Sequence, residues 1–154
     1  MTRSTNPNDG GTMAQSAPTV TLSAGQAVVE AARAKATEIG VPMNIAVVDE
    51  GGNLVAFARM DDAWLGSIDI AQSKAYTARA FDMPTKDLAP LAQPGESLYG
   101  IEASNHGRLI VFAGGIPLLS GNRVVGAIGV SGGTVEQDQA VAEAGTAAFE
   151  PAQR

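Results

Sequence analysis

Residues 43–60 read MNIAVVDEGGNLVAFARM, and the fold is decided there. Met43 to Asp49 is a continuous apolar run with two adjacent valines, the pattern of a buried strand. Glu50-Gly51-Gly52-Asn53 follows as a hairpin turn, because glycine accepts a positive φ without steric cost. Asn53 to Met60 then returns as the paired strand. A second hairpin is expected downstream. Arg108 to Phe112 reads as a strand, Ala113-Gly114-Gly115 breaks it, and Ile116 to Ser120 resumes. Gly121-Asn122 makes the turn into Arg123 to Ser131 (RVVGAIGVS), where Gly126 and Gly129 point to a bulge or a close backbone approach. Hairpin connections demand an antiparallel sheet.

Helical periodicity flanks both hairpins. Ser23 and Gln26 have the spacing of a capping box, Val28, Ala32 and Ile39 share one face, and Gly40 supplies a left-handed stop. From Ser67 to Asp82 a stripe of Ile70, Ala71, Lys74, Ala78 and Phe81 predicts a second helix, ended by Pro84. Thr85 to Leu91 reads as a short further turn. Thr134 and Gln137 open a last helix that runs to Phe149. Between these lies Ala92 to Gly107, with Pro94, Gly95, Gly100 and no clear period; an irregular stretch of that length is usually functional or mobile. The order predicts an α+β class, an antiparallel sheet built from two hairpins with helices packed on one side.

The chain has 154 residues, which suits one domain, expected over 21–150 after a polar, disordered lead-in over 1–20. That lead-in has no apolar core of a signal peptide, so the expected location is cytoplasmic. A net charge of −6 disfavours nucleic acid or an anionic membrane as partner. No apolar run approaches the ~20 residues of a membrane helix. The absence of cysteine excludes disulfides, thiolate nucleophiles and cysteine-ligated metals.

A few residues stand out chemically. Lys74 lies on the apolar stripe of the middle helix, and Asp138 shares a face of the last helix with Val135, Ala142, Gly145 and Phe149. Each needs a partner or a ligand, and two readings stay open: a structural role, snorkelling at the stripe's edge or pairing, or a pocket that both flank. Arg59 ends a strand beside a loop, where its planar fork is suited to a carboxylate. His106, the single histidine, is a candidate general base or haem-iron ligand. Gly114-Gly115 and Gly132-Gly133 are glycine pairs, the latter before a helix N-terminus whose N–H groups suit an anion. Neither has the spacing of a dinucleotide or P-loop motif.

Taken together, MNIAVVDEGGNLVAFARMDDA, SIDIAQSKAYTARAF with MPT, GGIPLLSGNRVVGAIGVSGG and EQDQAVAEAG resemble the GlcG/HbpS family, the haem-degrading domain proteins. The resemblance runs from about Leu22 to Phe149. It implies a profilin-like antiparallel sheet with helices, a small-molecule ligand, haem as cofactor and a symmetric homo-oligomer. Members with a histidine ligand usually carry it near the first helix or in the N-terminal tail. Here the first helix has none, so haem would be held by His106, by a hydroxyl such as Thr77 or Ser104, or between subunits. Its pocket would draw Leu98, Tyr99 and Ile101 from the long loop, with Arg59 and the glycine pairs as further ligand contacts. The alternative is a cofactor-free catabolic enzyme in which Arg59 grips an anionic substrate and Lys74, His106 or Asp138 supplies acid–base chemistry. A third reading is a structural oligomeric protein without a ligand.

Overall fold

The structure, a computed structural model, describes residues 19–152. The expected disordered lead-in lies, apart from its last two residues, outside the described residues. Helix α1 (Leu22–Ile39) precedes the hairpin β1 (Asn44–Asp49) and β2 (Leu54–Arg59). Helix α2 (Gly66–Phe81) and the single turn α3 (Thr85–Leu88) follow, then the hairpin β3 (Gly115–Ser120) and β4 (Arg123–Ser131), and finally α4 (Val135–Ala147). The hairpins join through β1 and β4 into a four-stranded antiparallel sheet of order β2-β1-β4-β3. Asn44 stands opposite Ser131 and Asp49 opposite Gly126 across that seam. This is the expected α+β class.

Helices cover both faces of the sheet, however, and not one. Ile45 and Val47 pack with Val28, Ala32, Ile128 and Val141 in a core shared with α1 and α4. Ala46 and Val48 point the other way, into a layer of Ala71, Ala75, Ala78 and Ala127 under α2. Successive side chains of a strand alternate faces. Because β1 is apolar at every interior position, each face requires its own cover. The alanine layer lets α2 ride close to the sheet, and at Gly129 any Cβ would collide with the Ala71 carbonyl.

Two local expectations are corrected. The cap of α1 is Thr21, whose hydroxyl accepts a hydrogen bond from the Ala24 N–H at 3.1 Å, and Ser23 is already helical. Arg108 to Phe112 forms no strand. Leu109 is buried and the Ile110 N–H donates to the Thr77 hydroxyl at 3.1 Å, so the segment is tied to α2 and pairing begins only near Gly115. The stop at Gly40 and the capping box of Thr134 and Gln137 form as expected. The long connection before β3 holds only short 3-10 turns, at Ala89–Ala92, Ile101–Ala103 and Asn105–Gly107. Among the described residues, no helix is long and apolar enough to cross a membrane.

Candidate functional site

Lys74 and Asp138 meet across the sheet end. The Lys74 ammonium, 0% exposed, donates to Asp138 Oδ2 at 2.8 Å and to the Val130 carbonyl at 2.8 Å. The Phe112 ring covers it at 4.8 Å from the centroid. Asp138 Oδ1 accepts the Gly133 N–H at 2.9 Å, so the anion at the start of α4 is the chain's own carboxylate. The N–H groups of the other glycine pair are also engaged: Gly114 donates to Gln139 Oε1 at 3.2 Å and Gly115 to Thr85 Oγ1 at 2.9 Å. Gly114 has a φ of 122°, and a Cβ there would stand 2.6 Å from the Val130 carbonyl oxygen and 2.8 Å from Lys74 Nζ, so backbone and space both favour glycine. Burial pushes the Lys74 ammonium below its ordinary value, and the Asp138 charge opposes that shift.

His106 lies in a different place, on a cleft of 390 Å³ that Val48, Leu54, Asp69, Tyr76 and Arg108 also line. Asn105, His106 and Gly107 are three consecutive left-handed residues, with φ of 51°, 59° and 73°. A non-glycine residue held there carries roughly 1–3 kcal/mol of strain, so the surroundings must enforce the conformation. Two side chains do so. The Tyr76 hydroxyl donates to Asn105 Oδ1 at 2.9 Å, and Arg108 Nε donates to the Asn105 carbonyl at 3.2 Å. The Arg108 guanidinium lies over the Tyr76 ring, 3.8 Å from its centroid. An imidazole, a guanidinium, a phenol and the Asp69 carboxylate therefore border one cleft whose lining is mostly polar, with Leu54 as its exposed apolar side chain.

Arg59 borders a second cleft, of 490 Å³, together with Arg33, Thr37, Val41 and Met60. Its Nε and Nη2 both donate to the Ala63 carbonyl, at 3.2 and 2.9 Å, and Arg33 is paired with Glu30. Tyr99 is 68% exposed and lines neither cleft. The three residues named for acid–base work are not brought together: His106 borders the first cleft, while Lys74 and Asp138 line neither. Tyr76 and Arg108 were not singled out in the sequence. Tyr76 lies off the apolar stripe of α2 and Arg108 was read as a strand start, so only the path of the loop joins them.

The family model described as haem degrading protein HbpS-like matches residues 20–147. The uncharacterised 15.0 kDa protein in the dhaT-dhaS intergenic region of Citrobacter freundii is 47% identical over 129 residues, covering 84% of this chain and 91% of that protein. Among solved structures, Klebsiella pneumoniae protein ORFY superposes with a TM-score of 0.85 at 44% identity, covering 89% of this chain and 94% of that one. The PduOC:heme complex superposes with a TM-score of 0.79 at 36% identity, covering 82% and 92%. Matches of this extent over both hairpins and all the long helices leave one conclusion: the chain belongs to the GlcG/HbpS family.

Proposed function

We propose that this protein binds haem or a related tetrapyrrole in the cleft that His106 borders. The observation that carries the reading is the position of the chain's single imidazole, held on a strained turn beside a guanidinium, in a fold shared with a haem complex at 36% identity. The residues fit the group. An imidazole is a common axial ligand of haem iron, Arg108 suits a propionate, and the half-exposed Leu54 offers apolar contact to the ring. The cleft volume of 390 Å³ falls within the ~300–1,000 Å³ of small-molecule sites. Bound iron would supply the one-electron chemistry; the chain would supply the ligand, the orientation and the apolar contact. Both candidate hydroxyls are engaged, which favours His106: buried Thr77 donates to the Ser73 carbonyl at 2.7 Å and accepts from Ile110, and Ser104 donates to the Ile101 carbonyl at 2.6 Å.

Self-association belongs to the same proposal. Trp64 and Leu65 are 67% and 73% exposed on the loop before α2, a pair of large apolar side chains suited to cover by a second copy. An acid–base enzyme has no comparable support, since Lys74 and Asp138 are committed to each other, to Val130 and to Gly133.

Titration of the apo-protein with hemin, followed in the Soret region, tests the reading. Saturable binding that His106→Ala weakens is the expected result. Binding that ignores the substitution would move the iron ligand to a hydroxyl or a subunit interface. Uptake no greater than that of an unrelated acidic protein would retire haem altogether.

A further inference from the structure

Arg108 differs from every other described arginine. Arg33 is paired with Glu30, Arg79 with Asp82 and Arg123 with Glu50, and Arg59 has two nitrogens on the Ala63 carbonyl. Only the Nε of Arg108 is engaged, on Asn105; among the described residues its two terminal nitrogens have no hydrogen-bond partner. A guanidinium carries five N–H donors in a planar fork that matches a carboxylate edge-on. Stacking on Tyr76 uses the flat face of that fork and leaves the edge open. Arg108 is exposed and its free edge meets water, so this oriented fork is open to an acidic ligand with no ion pair to break first.

Tyr76 touches both halves of the arrangement. Its ring carries Arg108, and its hydroxyl holds Asn105, the residue before His106. One side chain of α2 therefore sets the direction of the guanidinium and the backbone of the imidazole. Asp69 lines the same cleft from the first turn of α2 and repels a carboxylate from that side, so an acidic ligand edge is directed towards Arg108.

We propose that Arg108, laid on the Tyr76 ring, is the residue by which this cleft selects ligands with free carboxylate side chains, and that Tyr76 is the positioning residue that aligns this carboxylate contact with His106. The inference rests on the reading of the cleft as a tetrapyrrole site. For tetrapyrroles the carboxylates are the propionates, and the contact discriminates free acids from esters independently of the iron.

The experiment compares three probes: hemin, iron-free protoporphyrin IX, and hemin dimethyl ester, whose carboxylates are capped. Wild type should favour hemin over its ester. Arg108→Met should weaken hemin and protoporphyrin IX alike, by roughly ten- to a hundredfold for the loss of a charge-assisted bond, and should erase the preference over the ester. Arg108→Lys should recover part of that loss, which separates charge from the planar fork. His106→Ala should weaken hemin and leave protoporphyrin IX unchanged. Tyr76→Phe keeps the ring and loses the hydroxyl, so it should alter the Soret band while retaining the preference for free acid; Tyr76→Leu should lose both. If Arg108→Met binds hemin and its ester as wild type does, the carboxylate role is wrong and the tetrapyrrole reading stands. If Tyr76→Phe and Tyr76→Leu behave alike, the positioning role falls. If no probe binds wild type, the tetrapyrrole reading itself fails and takes this inference with it.

Discussion

Lys74 shows how much a single position depends on its neighbours. Its place on an apolar stripe marks it in the sequence as a charge in need of company, and Asp138 carries the same mark. Which of the two open readings holds is decided where β4 and α4 meet α2, with the Val130 carbonyl and the Asp138 carboxylate each 2.8 Å from the ammonium. Removing one partner strands the other. Lys74→Met is expected to destabilise the fold by about 3–5 kcal/mol, whereas Lys74→Met with Asp138→Leu should recover most of it, because a buried ion pair is replaceable by apolar packing. Urea unfolding of both variants checks this, and a double variant as weak as the single one would show that the pair is indispensable. The pair also has a pH signature. Burial depresses the folded Lys74 value below its unfolded 10.5. Between those two values the unfolded chain holds a proton that the fold has released, so stability rises with pH across that window. The rise should be present in wild type and absent in the double variant.

At the scale of elements, α2 is the one whose sequence and packing constrain each other most tightly. Its buried face is Ala71, Ala75 and Ala78, and it meets alanines on the sheet. Gly129 allows the approach, since a methyl there would strike the Ala71 carbonyl and the Ala75 N–H. Gly129→Ala is expected to cost about 1–3 kcal/mol or more through overpacking. A thermal melt measures it, and an unchanged midpoint would mean that α2 can move outward freely. The same close packing shows why the hairpins and long helices were legible. Their turns and periods are local signals, carried by Gly51-Gly52, Gly121-Asn122, Gly40 and the Thr134 cap. Arg108 to Phe112 was not legible, because an apolar run announces burial without naming the surface that buries it. Here the backbone is tied to α2, through Ile110 and Thr77, and not to a neighbouring strand. The start of α1 was displaced to Thr21 for a similar reason: two hydroxyl residues in sequence compete for one cap.

For the molecule as a whole, the sheet is a middle layer, closed by α1 and α4 on one face and by α2 on the other. Trp64 and Leu65 remain outside both cores. The loop bearing them is held by two side chains, with the Asn44 amide donating to the Trp64 carbonyl at 3.0 Å and Arg59 to the Ala63 carbonyl. A held apolar tip suits a docking role. Trp64→Ser with Leu65→Ser is expected to lower the solution mass measured by light scattering while leaving the monomer fold intact by circular dichroism. An unchanged oligomer mass would move the proposed contact to another surface, with the exposed Tyr99 loop next in line, and a wild-type mass of one chain would refute self-association.

By itself the sequence determined the hairpins, the long helices and the antiparallel sheet, because each is written in spacing that neighbouring residues carry, while the family came from the resemblance of its longer motifs. It also marked Lys74, Asp138 and His106 as chemically unusual. Only the tertiary structure decided that β1 is covered on both faces, that Lys74 and Asp138 satisfy each other, and that His106 stands apart from them with Tyr76 and Arg108. Those outcomes depend on side chains distant along the chain and adjacent only once the strands have paired and the loop before β3 has folded back on α2. Periodicity reports which side of an element is buried; contact between elements determines what that side meets.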